Sequence, residues 1–376
     1  NERFMENCIW LDRLKVRASI GNPGNQNFSS YQSYTTYVFN NGNQNPFGTS
    51  MLVANFGNPD LKWQKTLDKN IGLDLTLNNR LNVNLDYYDK LTDPLLAAVS
   101  VPSSVGSKRV MTNVGSQRTQ GVSGTVKYSP VYHPEERINW TLSASFKHQK
   151  AKYEDIGNSL DQFNKENLNT SLVRYYDGGS PTALWAVRSL GINPSDGREL
   201  FLTKEGTYTF EYDTEDEVVV GNSEPKLEGV LGSTLYWKGF SFSLYFRYSL
   251  GADVFTEATY NKVENISLAG LKSNQDKRAL HDRWQKPGDH AKFKGISLTE
   301  TTPISSRFVL RENYIKAESI SVGYDFESQA VQKLGIQSLR LQANTTDLFR
   351  ISSIKEERGI EYPFARSFSF SLSAMF

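Results

Sequence analysis

The sequence predicts an all-β chain that contributes strands to an antiparallel transmembrane β-barrel. Three observations predict it. Ten segments alternate apolar and polar residues, the gaps between them alternate long and short, and no apolar run is long enough to cross a membrane as a helix. Period-two alternation puts successive side chains on opposite faces of a strand. The C-terminus shows it most plainly, where Phe368, Phe370, Leu372, Ala374 and Phe376 alternate with Ser367, Ser369, Ser371, Ser373 and Met375.

In chain order, the predicted strands run from Leu14 to Ile20, Ile71 to Leu77, Leu81 to Tyr87, Gly121 to Tyr128 and Asn139 to Lys147. They continue from Leu227 to Trp237, Phe240 to Leu250, Tyr314 to Phe326, Leu339 to Asn344 and Phe368 to Phe376. Two are irregular. Gly229 and Gly232 blur the parity of the sixth, and the eighth changes parity between Ala317 and Ile320, as a β-bulge requires.

The gaps carry the strongest signal. Asn78 to Arg80, Ser129 to Ile138, Lys238 to Gly239 and Glu327 to Gly335 are short. Gly21 to Thr66, Lys90 to Gln120, His148 to Lys226, Gly251 to Asn313 and Leu348 to Arg366 are long. Long and short alternate throughout. An outer-membrane barrel sorts its connections in this way, tight on the periplasmic side and extended outside.

The most apolar run, Pro94 to Pro102, falls well below the ~20 residues of a spanning helix. Mean hydropathy is −0.50, too polar for a helical membrane protein, yet a barrel strand needs apolar residues only at alternate positions. The 376 residues carry 42 basic and 41 acidic side chains, a balance that offers nucleic acid no attraction. Aromatic content is 12%, mostly Tyr and Phe, as in sheet-rich chains. Tyr128, Trp140, Tyr236, Trp237, Tyr324 and Phe376 fall beside the short gaps, and Tyr87, Phe146 and Tyr248 near the other strand ends, suggesting two interfacial belts. The single cysteine, Cys8, can form no internal disulfide and is expected as a small apolar residue near the periplasmic rim. The chain opens on Asn1 and enters a strand pattern without a leader, and we expect it to begin in mid-protein.

Polar residues at alternate strand positions are expected to face a wet lumen: Asn82, Asn84, Asp86, Arg247, Arg340 and Gln342. Charges are costly against lipid and cheap against water. Among the aromatics of the long gaps, Tyr175, Tyr176, Trp185, Tyr260 and Trp284 are candidates for contact with substrate or with a covering partner. Packing of one loop on another is the competing reading for each. Catalytic and metal-binding sets are not recognisable. The four histidines lack HExxH spacing, and His281-Asp282 reads as a solvated loop pair. The acidic run Glu211 to Glu217 lacks the ligand spacing of an EF-hand and reads as an exposed loop. The Gly-rich stretch Gly21 to Asn27 opens no helix, so it reads as a turn rather than a phosphate cradle. No cofactor is expected.

Eight segments, taken together and in order, resemble the SusC/RagA-type TonB-dependent outer-membrane transporters of Bacteroidota. They are LDRLKVRASIGNPGNQN (11–27), NPDLKWQKTLDKNIGLDLTLNNRLNVNLDYYDKLTDPLL (58–96), TNVGSQRTQGVSG (112–124), WAVRSLGINPSDGRELF (185–201), GSTLYWKGFSFSLYFRYSLG (232–251), and a final set made of ENYIKAESISVGYDF, LRLQANTTDLF and YPFARSFSFSLSAMF. The chain departs from the pattern where Ser123 follows Gly121-Val122 in place of an acidic residue. The resemblance implies a 22-stranded barrel of which these are the C-terminal ten strands, with the plug and TonB-contacting segment lying outside this chain. It also implies an outer-membrane location with a periplasmic C-terminus, Phe376 as part of the barrel-assembly signal, and a SusD-like lipoprotein lid. The implied activity is import of large oligosaccharides or peptides, without catalysis. The alternative is a secreted or surface β-sandwich that binds glycans, which accounts for the alternation but not for the sorted gaps. A surface hydrolase is a third reading, with carboxylates far apart in the chain.

Overall fold

The computed structural model describes residues 10–25, 31–102, 104, 107–297, 299–326, 335–355 and 365–376. Cys8 lies outside them, as do Gln26 and Asn27 and parts of the 327–335 and 348–366 connections. Along the chain, β1 (Leu11–Gly21) is followed by β2 (Gly24–Asn25), the hairpin β3 (Thr36–Asn45) and β4 (Gly48–Asn55), then β5 (Gln64–Leu77) and β6 (Leu81–Asp93). A second hairpin, β7 (Leu95–Ser100) and β8 (Arg109–Val114), precedes β9 (Ser116–His133) and β10 (Ile138–Glu154). Next come helix α1 (Asp161–Glu166), β11 (Ala183–Ile192), β12 (Glu199–Leu202), β13 (Tyr208–Thr209) and β14 (Glu217–Asn222). The chain returns through β15 (Leu227–Trp237) and β16 (Phe240–Phe255), passes helix α2 (Arg278–His281), and ends with β17 (Val309–Phe326), β18 (Ser338–Thr346), β19 (Arg350–Ser352) and β20 (Ser367–Met375).

Twelve of these strands form one antiparallel sheet, whose main path of ten runs β1-β5-β6-β9-β10-β15-β16-β17-β18-β20, with β2 pairing β5 and β19 pairing β17. Each of the ten pairs with the next main strand of the chain, and the ten coincide with the ten expected from alternation. Among the described residues the ten lie in one sheet and are not divided between two, as a sandwich requires. The turns suit their residues. Asn78 and Asn79 take φ of 48° and 52°, and Lys238 and Gly239 take 45° and 96°. Positive φ at both central positions is the tight hairpin geometry that matches strand twist.

The strands are longer than alternation suggested. Pairing continues from Ser116 to His133 in β9, so the Ser129 to Ile138 gap closes to a turn at Pro134–Arg137. β9 and β17 each have 18 residues and β10 has 17, whereas a bilayer takes ~9–11 per strand. Beyond the bilayer both faces meet water, so alternation fades while the ladder goes on. The expected bulge is present. Tyr245 pairs Ser319 and Phe246 pairs Ala317, leaving Glu318 as the extra residue.

Register fixes the two faces of the sheet. One is polar and tied by charge. Arg17 on β1 donates to Asp74 on β5 at 2.9 Å and to Asp86 on β6 at 3.3 Å, and Asn84 donates to Asp74 at 2.8 Å. Further round, Arg247 donates to Glu318 at 2.9 Å, Gln342 to Ser321 at 2.9 Å, and Arg340 pairs with Asp325 at 2.8 Å. The other face is apolar and outward. Val16 stands opposite Leu73, Leu73 opposite Leu85, and Ala343 opposite Phe370. Val16 is 69% exposed and Phe370 77%. At the short-turn end of this face, Phe240 lies 4.5 Å from Tyr324, which lies 4.7 Å from Phe326. Tyr236 does not join that row as expected. Its hydroxyl donates to Asp325 at 2.7 Å on the polar face, because its register is one residue out of phase with Trp237.

The buried cores lie not in the sheet but at its long-connection end. Val263, Ile266, Ala279, Phe293 and Phe308 form one core, Leu172, Leu184, Ala186 and Ile304 a second, and Val114, Tyr153, Ile156 and Leu160 a third. The connections 155–226 and 256–308 are therefore folded bodies with cores of their own. A four-stranded sheet, β13-β12-β11-β14, sits in the longest of them.

Candidate functional site

The connections 155–226 and 256–308 fold against each other into a cap over the long-connection end of the sheet. Arg307 joins them, donating to Glu199 at 3.0 Å and to Glu264 at 2.9 Å. Ser305 donates to the same Glu199 at 2.6 Å. Burial works to lower the Arg307 pKa, but the Glu264 and Glu199 carboxylates outweigh it and hold the guanidinium above its usual range. A second buried pair lies within the first connection. Arg174 and Glu217 meet through two parallel hydrogen bonds of 2.9 and 2.8 Å, with side chains 1% and 8% exposed. Burial pushes the Glu217 carboxyl up, opposed by the Arg174 charge. Arg283 is buried too, donating to the carbonyls of Ala279, Lys294, Val263 and Glu264. Such groups hold only because their partners are present.

Of the five aromatic candidates, two line a cleft and three pack inside the cap. Tyr176 and Trp185 lie ring to ring at 5.1 Å, and both face a cleft of about 1260 Å³. Its other wall carries Asp213, Glu215 and Asp216, and Lys165 and Lys204 stand at its margin. Tyr175 instead packs against Tyr153 and Phe163, each at 5.5 Å. Tyr260 donates its hydroxyl to the Thr302 carbonyl at 2.9 Å and lies 5.1 Å from Phe308, and burial raises its pKa. Trp284 donates to the Pro194 carbonyl at 3.0 Å and covers Gly197. The cap cores recruit these three because an aromatic ring buries a large area and its polar tip finds a carbonyl.

The acidic run is structural as well as exposed. Asp213 accepts from the Glu215 amide at 2.8 Å, Asp216 from the Lys204 amide at 2.9 Å, and Glu217 holds Arg174. No three His, Cys, Asp or Glu side chains converge as metal ligands among the described residues. His281 is exposed, and Asp282 stands 4.0 Å from Lys292. Gly24 and Asn25 pair with Lys65 and Gln64 as a short strand, not a cradle.

The six polar strand candidates, Asn82, Asn84, Asp86, Arg247, Arg340 and Gln342, share the charge-tied face by register. Phe376 ends the chain just beyond β20, and the residues of β20 are exposed throughout. Sequence reasoning missed Arg174, Glu199, Glu217, Glu264 and Arg307. Their partners lie up to 108 residues away, and only the fold brings them together.

Residues 9–198 match the model of the TonB dependent receptor-like β-barrel. The chain belongs to that family. Among curated relatives it is 25% identical over 94% of its length to TonB-dependent receptor P39 of Formosa agariphila, and 26% identical over its full length to TonB-dependent receptor SusC of Bacteroides thetaiotaomicron. It spans 38% and 39% of those proteins. The RagAB peptide importer in its closed-closed state superposes over 94% of the chain with a TM-score of 0.78 at 21% identity, and 39% of the importer chain is covered. The open-open state gives 0.79 over the full chain, at 20% identity and 41% coverage. The family's barrels belong to the outer membrane, and the long β9, β10, β16 and β17 are strands of such a barrel.

Proposed function

We propose that this chain walls part of an outer-membrane transporter that imports large nutrients, oligosaccharides or peptides, under TonB drive. One observation carries the reading. In a chain of this barrel family, one sheet with ten successive main strands presents an ion-paired polar face and an exposed apolar face. Backbone groups in a bilayer must be satisfied within a closed barrel. The outer edges of β1 and β20 carry no further strand among the described residues, and unpaired edges demand partners. The rest of the barrel and a plug supply them, and TonB engages that remaining part.

In this reading the apolar face meets lipid, and the charge-tied face meets the lumen. The cap lies outside the cell and the short turns and C-terminus lie in the periplasm. Phe376 ends the strand read during barrel assembly. A SusD-like surface lipoprotein closes over the cap, and the Tyr176–Trp185 cleft belongs to the chamber beneath it. The chain itself performs no catalysis.

The test is depletion of nutrients by a strain lacking this gene. Defined mixtures of oligosaccharides and of peptides are supplied, and what remains in the medium is measured by mass spectrometry. Persistence of one class, restored to depletion by the intact gene, is expected. Equal depletion of every component by both strains overturns the reading.

A further inference from the structure

We infer that the apolar face carries a site for a phosphorylated glycolipid of the outer leaflet, an inference that rests on the placement of that face against lipid. At the long-connection end, strands β15, β16, β17 and β19 frame an apolar groove of about 630 Å³, lined by Leu227, Leu231, Tyr248, Leu250, Ile315 and Ile351. Register sets them on one face. Leu227 stands opposite Leu250, Tyr248 opposite Ile315, and Ile315 opposite Ile351. The Tyr248 ring does not fill the groove. It leans across Gly229, and its hydroxyl donates to the Ser145 carbonyl on β10 at 2.9 Å. Ile351 forms the far wall and is 65% exposed.

A second pocket, of about 390 Å³, adjoins the groove, and its lining is charged and hydroxylated. Lys226 and Gly251 line it, next in the chain to Leu227 and Leu250 of the groove. The Lys226 stem lies along Gly251, where an added Cβ would stand 3.0 Å from it, and the residue is exposed. A lysine placed so covers apolar backbone with its stem and keeps its ammonium in the polar layer. His148 and Lys150 follow Phe146 at alternate positions of β10, and Arg311 follows Ile315 in the same way on β17, so all three share the apolar face by parity. They line the same pocket. Arg311 donates to Asp253 at 3.3 Å, with its side chain 58% exposed. Lys150 and Lys226 form no ion pair among the described residues, and Glu224 is the other carboxylate in the lining. Ser180 and Thr182 lie 2.9 Å apart, and Thr182 donates to Asn222 at 2.8 Å along the pocket wall.

Shape and charge together select the occupant. An exposed apolar groove marks a place where a membrane or ligand packs, and an acyl chain fits one that is walled by Leu and Ile. Lysines beside a bilayer surface draw anionic headgroups, and a phosphate accepts from several of them at once. Hydroxyl and amide side chains suit the hydroxyls of a sugar. A glycolipid that bears phosphate combines the three. A soluble anion would have no use for the groove, and a diacyl phospholipid would leave Ser180, Thr182 and Asn222 without a role.

The experiment uses the full-length transporter, purified from native outer membranes in mild detergent, and quantifies the lipid that stays bound by mass spectrometry. Lys150→Glu combined with Lys226→Glu is expected to lower bound phosphorylated glycolipid at least about tenfold, the worth of two lysines near an anionic surface, with the barrel's heat-dependent gel shift unchanged. Lys69→Glu, an exposed lysine of β5 on the same face by its alternation with Ile71, is expected to leave it unaltered. A second measurement needs no variant. The unmodified transporter is stripped of lipid and offered the host's purified lipopolysaccharide, its dephosphorylated form, or phosphatidylglycerol. Retention of the first at least about tenfold above the other two is expected. Equal retention of all three, preference for phosphatidylglycerol, undiminished glycolipid in the double variant, or an equal loss in Lys69→Glu each overturns the site while leaving the transporter standing. If the unmodified protein holds no lipid of any kind and shows no heat-dependent shift, the membrane placement fails and the site with it.

Discussion

The Tyr248 hydroxyl donates to the Ser145 backbone carbonyl at 2.9 Å, crossing β15 above Gly229. The ladder between β10 and β15 opens here, and Ser145 Oγ takes the Val230 amide at 3.0 Å in place of a backbone acceptor. Tyr88 repeats the device over Gly121, donating to Gln149 at 2.9 Å. A ring laid across a strand glycine covers backbone that has no side chain of its own.

This contact makes a stability prediction. Tyr248→Phe leaves a carbonyl unpaired and should cost about 1–3 kcal/mol, seen as a lower urea midpoint for loss of the folded gel form. Gly229→Val should be worse, since a Cβ there collides with the Ser145 carbonyl. A midpoint unchanged in both variants would remove the role given to this contact.

The two faces predict opposite tolerance to charge. Val83 and Asn84 are neighbours on β6 with opposite facing. Val83→Lys should destabilise the barrel by about 2–4 kcal/mol if it lies near the bilayer midplane, whereas Asn84→Lys should change little. The measurement is refolding into lipid vesicles, scored by heat-dependent mobility. Equal tolerance at both positions would reverse the assignment of faces.

The ten main strands are legible in the sequence because lipid on one side and water on the other force strict alternation. The bulge at Glu318 is legible for the same reason, as a break in parity. The hairpins β3–β4 and β7–β8 and the sheet β13-β12-β11-β14 are not legible, because none has one wet and one apolar side along its whole length. The aromatic candidates divide for a physical reason. Tyr175, Tyr260 and Trp284 are drawn into cap cores whose other members lie tens of residues away, and no local pattern separates them from Tyr176 and Trp185.

The buried pairs of the cap predict asymmetric double mutants. Arg174→Met alone strands the Glu217 carboxylate and should destabilise the cap by about 3–5 kcal/mol. Adding Glu217→Leu should recover most of that loss. Limited proteolysis of the 155–226 connection in the folded barrel reports it: rapid cleavage in the single variant, slow cleavage in the double. Arg307→Met should expose both connections to protease together, because that one guanidinium holds Glu199 and Glu264.

The cleft makes a functional prediction. Trp185→Ala or Tyr176→Ala should raise the half-saturating concentration for uptake about three- to tenfold, the worth of one aromatic contact, with surface expression unchanged. Tyr175→Ala, by contrast, should act through cap stability. Uptake untouched by loss of both cleft rings would take the cleft out of the substrate path.

Every main strand of this sheet pairs with its successor in the chain. The β5–β6, β9–β10 and β15–β16 pairs close over tight turns, where loop closure is entropically cheap, whereas β1–β5, β10–β15 and β16–β17 pair across long connections and close more slowly. The barrel wall can thus form first as tight hairpins, which then join edge to edge across the long connections. The cap has no tight hairpin to start from, since Arg307 must wait for Glu199, and it would be the last part to set.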